Sequence, residues 1–389
     1  MRPSLVSASV ATQFFMSQKR VLLLHEDRFL ASLFRDRLEA AGLVVETARS
    51  GTTGLNAAAE RHPNVIVIDP VLPGPNISEL IPQLKAIGAV KPIPVIVLPT
   101  ARPVVAEMAQ EAGADIVLSR GVNPIADLID AVQTKLGAEK TSALSKGLAF
   151  RPEDNWVRMS LNAIPDTVVS LRRSLHELTR EGGDPTALPE LFQTIHGLAE
   201  QMSVLGQGPL HYLTAQIEAL AHDLSRVPEQ INPSVLRTLG QSVDFLSTLL
   251  PDSVRNRLKD PGAAQVLVVD DEDGARKIIM AAMRLANLKS MAADTPGNGL
   301  AALGVQGFDL IFLDVGLPEM NGFELCTRIR ALPMHEKTPI IFITGMVTFQ
   351  NRVQSSLSGG NDFVGKPFNI SELGLKAIIW IFKGQLGQI

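Results

Sequence analysis

Four short β-rich runs in the last third of the chain each end on a polar residue. Val266–Val269 leads into Asp270-Asp271, Asp309–Leu313 into Asp314, Pro339–Ile343 into Thr344, and Phe363-Val364 into Lys366-Pro367. Compact apolar runs of this kind suit strands buried on both faces, as in a parallel α/β sheet. In an open sheet of that class the loops beyond the strand C-termini converge on one crevice. The sequence therefore gathers three carboxylates, a hydroxyl and an ammonium in one place. Packed like charges repel unless something opposes them.

A divalent cation opposes them. Hard oxygen ligands hold Mg²⁺, the ion bridges a carboxylate and an incoming phosphoryl group, and Lys366 balances the remaining charge. The motifs around these residues are Val-Val-Asp-Asp-Glu (268–272), Leu-Asp-Val-Gly-Leu-Pro-Glu-Met-Asn-Gly (313–322), Ile-Thr-Gly (343–345) and Phe-Val-Gly-Lys-Pro-Phe (363–368). In this order and spacing they resemble the receiver domain of bacterial response regulators, over about 264–388. The resemblance implies a flavodoxin-like, doubly wound α/β fold with Asp314 as phosphoryl acceptor. It implies a Mg²⁺ site of Asp270, Asp271, Asp314 and the Gly316 carbonyl, Asp270 acting through water. It places Thr344 and Lys366 on the phosphoryl oxygens and makes Phe363 the switch aromatic.

The pattern occurs a second time, 245 positions upstream: Val21–Leu24 matches Val266–Val269, and Asp69 matches Asp314. Asp69-Pro70-Val71-Leu72-Pro73-Gly74 echoes the stretch after Asp314, Thr100 follows the run Val95–Leu98, and Gly113-Ala114-Asp115 opens a last strand. Residues 19–137 thus resemble another receiver, with changes at its site. His25-Glu26 replaces the acidic pair, Arg120-Gly121 replaces Lys-Pro, and Val117 replaces Phe363. Glu26 is one methylene longer than aspartate, and a guanidinium is a planar fork rather than a point donor. Two readings of this copy stand: phosphorylation at Asp69, or a receiver fold kept for docking.

Residues 154–258 follow a helical period instead. Leu191, Ile195, Leu198, Met202 and Leu205 form one apolar stripe; Leu210, Leu213, Ile217 and Leu220 form another; Val235, Leu239, Val243, Leu246 and Leu250 form a third. A first helix covers Val157 to Leu178, and Gly/Pro clusters at 182–185, 206–209 and 228–233 separate the helices. Four helices with short connections predict an antiparallel four-helix bundle. Ile195-His196-Gly197-Leu198, then Val204-Leu205-Gly206 and Leu213…Ile217-Glu218, resemble a histidine phosphotransfer domain, with His196 at the acceptor position. That family usually carries lysine and glycine where this chain has Ala199 and Glu200. Residues four apart share a helix face, so Glu200 brings a carboxylate beside His196. An active phosphotransfer histidine and a degenerate bundle kept as a spacer or dimerisation element both remain open.

A chain of 389 residues has room for two or three domains. The expected order is a disordered 1–18, a receiver at 19–137, a linker at 138–153, the bundle at 154–258 and a second receiver at 262–389. The apolar start after Arg2 shares features with a signal peptide but is broken by Ser7, Ser9, Thr12 and Gln13. A net charge of −4 without a Lys/Arg cluster argues against a nucleic-acid face. No apolar run reaches membrane-spanning length. A single cysteine, Cys326, excludes an internal disulfide and fits a reducing cytoplasm. With no kinase core, cyclase motif or helix-turn-helix in view, the chain is expected to be no enzyme beyond phosphoryl acceptance and transfer. The expected partners are a sensor histidine kinase or phosphotransfer protein, a downstream protein and a second copy of the chain. A constitutive docking scaffold with relic sites is the alternative. The final helix adds a specific expectation. Leu373, Ala377 and Ile381 suffice to face the sheet, and the surplus Leu375, Ile379 and Phe382 imply a second buried face, against a partner or against the bundle of the same chain.

Overall fold

The computed structural model describes residues 19–87, 92–98, 103–118, 124–137, 155–179, 187–205, 208–345 and 357–388. Segments 1–18 and 138–153, with Thr100, Arg120 and Gly121, lie outside them.

The first α/β domain runs β1 (Arg20–Leu24), α1 (Arg28–Ala40), β2 (Val44–Ala48), α2 (Gly51–Arg61), β3 (Val65–Ile68), α3 (Ile77–Ile87), β4 (Val95–Val97), α4 (Pro103–Glu111), β5 (Ile116–Val117) and α5 (Pro124–Lys135). Its strands pair in parallel in the order β2-β1-β3-β4-β5. Alternate strand residues serve opposite faces. Leu22, Leu24, Ile66, Ile68, Val95 and Val97 pack with Ile77, Leu80, Ile81 and Leu84 of α3.

Four long helices follow: α6 (Asn155–Thr179), α7 (Ala187–Val204), α8 (Gly208–Arg226) and α9 (Pro233–Thr248), with a one-turn α10 (Asp252–Arg255). Asn232 starts α9 by accepting from the Ser234 and Val235 amides, and Pro233 takes the first helical position. Each long helix buries one apolar stripe, for example Leu210, Leu213, Ile217 and Leu220 on α8.

The second α/β domain repeats the first: β6 (Gln265–Val269), α11 (Asp273–Leu285), β7 (Lys289–Ala293), α12 (Pro296–Val305), β8 (Leu310–Asp314), α13 (Gly322–Arg330), β9 (Ile340–Thr344), β10 (Asp362–Gly365) and α14 (Ile370–Leu386). Its parallel order β10-β9-β8-β6-β7 is that of the first sheet read from the other edge. Leu267, Val269, Ile311, Leu313 and Phe342 meet Phe323, Leu325, Cys326 and Ile329 of α13 on one face. Both sheets carry the flavodoxin-like strand order, in which the switch point falls beside the first strand. Here that is the gap between the C-termini of β6 and β8.

The helices and the second α/β domain belong to one compact unit, and α14 shows why. Asn369 caps its start by accepting from the Glu372 amide, and Gly387, at φ 71°, ends it in the left-handed conformation that glycine tolerates. Leu373, Leu375, Ala377, Ile378, Ile379, Ile381 and Phe382 are all buried. One side of α14 packs on α11 and the sheet, and the other packs on α8 and α9. The surplus apolar face is therefore covered within the chain, and a partner surface on that helix is not what the structure contains. Polar bonds accompany the burial: the Tyr212 phenol of α8 bonds Asp260 and Asn287, and burial first, then that carboxylate, push its pKa up to about 12. Among the described residues no helix is long and apolar enough to cross a membrane.

Candidate phosphoryl-acceptor site

Asp314 is the last residue of β8, Thr344 the last of β9, and Asp270 follows β6 directly. Strand ends that pair in register must bring these side chains to one edge: Val269 pairs with Leu313, Asp314 with Ile343, and Gly365 with Thr344. Oxygens of Asp270, Asp271 and Asp314 lie within 4.8 Å of one another. Lys366 Nζ joins them, 2.9 Å from Asp270 Oδ2 and 3.6 Å from Asp314 Oδ1. Three acids against one ammonium leave an excess of negative charge on hard oxygen donors, the set that suits a small divalent cation. The Gly316 amide donates to the Asp314 carboxylate, so the Gly316 backbone stands at the same spot.

The charges act on each other as that geometry requires. Burial raises the Asp314 pKa, the Asp270 charge adds to it, and Lys366 opposes both. For Lys366, burial disfavours the ammonium, but its bond to Asp270 and the charge of Asp314 prevail and its pKa ends above the usual lysine range.

Several contributors were not singled out from sequence. Glu272 Oε2 lies 3.3 Å from Lys366 Nζ and shares it with the two aspartates. Arg276, one turn into α11, donates from Nη1 to the Asp270 carbonyl at 2.8 Å. Asn321 caps α13 by accepting from the Glu324 amide at 2.9 Å, which sets the loop after Asp314. Only the DDE and NG clusters around them hinted at such roles.

The first domain arranges different chemistry. The Asp27 amide donates to His25 Nδ1 at 3.2 Å, and that nitrogen lies 3.9 Å from Asp69 Oδ2. Asp69 Oδ1 accepts from the Val71 amide at 2.9 Å. An imidazole thus stands where the second domain has Asp270. Weaker Mg²⁺ binding is expected here. In a metal titration of the full chain, Asp271→Ala should weaken the tighter site at least roughly fivefold, since a charge pair a few Å apart is worth on the order of 1 to 4 kcal/mol. Glu26→Ala should leave that site unchanged, and equal losses would contradict the difference between the two domains.

On α7, His196 Nδ1 lies 2.8 Å from Glu218 Oε1 of α8, and Nε2 lies 3.8 Å from Glu200 Oε2. The Phe192 ring stacks on the imidazole with centroids 5.7 Å apart. Only 14% of the His196 side chain is exposed. Glu218 went unread as a neighbour because it is 22 residues away in the chain.

The model of the response regulator receiver domain matches residues 21–133 and 266–378. The transcriptional regulatory protein SpaR of Bacillus subtilis is 35% identical over 113 residues, 29% of this chain and 50% of its own length. The nisin biosynthesis regulatory protein NisR of Lactococcus lactis is 32% identical over 112 residues, 29% of this chain and 48% of its own. The chain spans about half the length of these curated relatives. The chemotaxis response regulator CheY4 of Vibrio cholerae, a solved structure, is 29% identical over 30% of this chain and 98% of that one, with a TM-score of 0.29. With the family's model matched twice, over more than half of its length, the chain belongs to the response regulator receiver family.

Proposed function

We propose that this protein is a two-component signalling protein that takes a phosphoryl group onto Asp314 from a sensor histidine kinase or phosphotransfer protein and passes the signal on by protein–protein contact. The observation that carries this is the convergence of Asp270, Asp271, Asp314 and Lys366 at the ends of three strands. A carboxylate oxygen of Asp314 attacks phosphorus, the bond to the donor nitrogen breaks, and an aspartyl phosphate forms. Lys366 and the Thr344 hydroxyl meet the phosphoryl oxygens. Asp270, Asp271, Asp314 and the Gly316 carbonyl would hold Mg²⁺, which supplies further charge neutralisation when bound. Incubating the full chain with acetyl phosphate and Mg²⁺, then mapping label by peptide, tests this: label belongs on Asp314 and requires the metal. Label confined to Asp69 or His196 would contradict it. Docking rather than phosphorylation fits the first domain better, because His25 replaces an acidic ligand there.

The four helices fit an antiparallel histidine phosphotransfer bundle. Glu218, accepting from His196 Nδ1–H, would put the lone pair on Nε2, the nitrogen that attacks phosphorus. Glu200 beside Nε2 works against an incoming anion. At that separation its charge costs on the order of 1 kcal/mol in water-like surroundings, or roughly fivefold in transfer. Glu200→Gly with Ala199→Lys should therefore speed transfer from a phosphorylated receiver, while Glu218→Gln should slow it. Unchanged rates in both variants would mark His196 as a relic.

A further inference from the structure

The groups that balance charge at Asp314 and the groups that tie α14 to the helices lie on one stretch, 363–372. Lys366 Nζ stands 3.6 Å from Asp314 Oδ1, and its backbone amide donates to the Thr344 carbonyl at 2.7 Å. Three residues before it, the Phe363 ring carries the Arg237 guanidinium of α9, 4.5 Å from its centroid. Three residues after it, Asn369 Nδ2 donates to Gln230 Oε1 at 2.5 Å. Ser371 Oγ then donates to Asp223 Oδ2 at 2.6 Å. Glu372, itself buried, accepts from Ser234 Oγ at 2.6 Å and from Thr238 Oγ1 at 2.9 Å.

One short stretch of backbone thus joins the two ends. A phosphoryl group on Asp314 adds negative charge within reach of Lys366, which now divides itself between Asp270 at 2.9 Å and Glu272 at 3.3 Å. Drawing the ammonium onto the new oxygens pulls on the backbone between Phe363 and Asn369. The Glu372 end resists, because a buried carboxylate that loses its donors is left uncompensated. The contacts outside that buried carboxylate, Arg237 on Phe363 and Asn369 with Gln230, yield before it does. Arg237 Nε is buried without a hydrogen-bond partner among the described residues, so its ring contact is not reinforced there.

We propose that the helical segment is the output surface of the second receiver: α8 and α9 of the same chain, rather than a second copy docked on α14, read the state of Asp314 through Arg237 on Phe363. This rests on the phosphoryl acceptance proposed above. The test is amide hydrogen exchange on the full chain with Mg²⁺ and beryllofluoride as a phosphoryl mimic. Peptides covering 266–345 should gain protection, and those covering 230–240 should exchange roughly two- to fivefold faster, the worth of one cation–π contact that is not fully desolvated. In Arg237→Gln the 266–345 response should persist, which also shows that the variant is folded, while the 230–240 response should vanish. A receiver response with 230–240 unmoved, or a full 230–240 response in Arg237→Gln, overturns the proposal but leaves phosphoryl acceptance standing. Silence of the 266–345 peptides overturns both. The sedimenting mass should not change on adding the mimic; a doubling would assign the output to a second copy instead.

Discussion

The Asp314→Asn chain is expected to form no aspartyl phosphate at this site, so label from acetyl phosphate should fall to whatever Asp69 and His196 take up. An amide oxygen carries no full charge and cannot replace a carboxylate as nucleophile. The same change removes one of three acids that face the cation site. Folding should not suffer, because Asn keeps the shape. In fact burial, then the Asp270 charge, raise the Asp314 pKa in the fold. A carboxyl with a raised folded pKa contributes stability below its unfolded value, near about 3.9, and loses it as pH rises through the folded value. Without Mg²⁺, Asp314→Asn should thus be at least as stable as wild type near neutral pH, with the gap closing in acid. Thermal unfolding in chelator at several pH values measures this. Full-level label at residue 314 would refute the acceptor assignment, and a large loss of stability would refute the electrostatic account.

Gly322→Ala should be the most damaging small substitution in the second receiver. A Cβ there would lie 2.1 Å from the Asp314 carbonyl oxygen and 2.9 Å from both the Asp314 carbonyl carbon and Val315 Cα. These are backbone atoms at the end of a buried strand, and they cannot rotate aside as a side chain can. The Gly322 amide also donates to the Val315 carbonyl at 3.1 Å, which closes the turn. A cost of about 3 kcal/mol or more, at or beyond the upper end of overpacking, is expected. The clash pushes on Asp314 itself, so phosphorylation should slow as well. Gly299→Ala is the control: its nearest obstacles are Val269 methyls at 3.1 and 3.4 Å, and about 1 kcal/mol should suffice there. Urea midpoints of the two variants, followed through the buried Trp380, compare them. Equal midpoints would remove the special status of Gly322.

Much of this site was legible in the chain. Apolar runs that end in Asp270-Asp271, Asp314, Thr344 and Lys366 mark strand ends, and parallel strands of one sheet must deliver their ends to one side. The offset of 245 between Val21 and Val266 repeats that logic for the first domain, and the change to His25 was visible at once. What sequence could not determine is which groups meet across long separations. Glu218 reaches His196, Arg237 reaches Phe363, and Glu372 finds Ser234 and Thr238 more than 130 positions away. The apolar surplus on α14 illustrates the limit. Its periodicity demanded that a second face be buried, because hydrophobic burial depends on area removed from water. That driving force is non-directional, so the pattern could not say whether another molecule or the chain's own helices would cover it. Only the tertiary packing of α8 and α9 against α14 decided that.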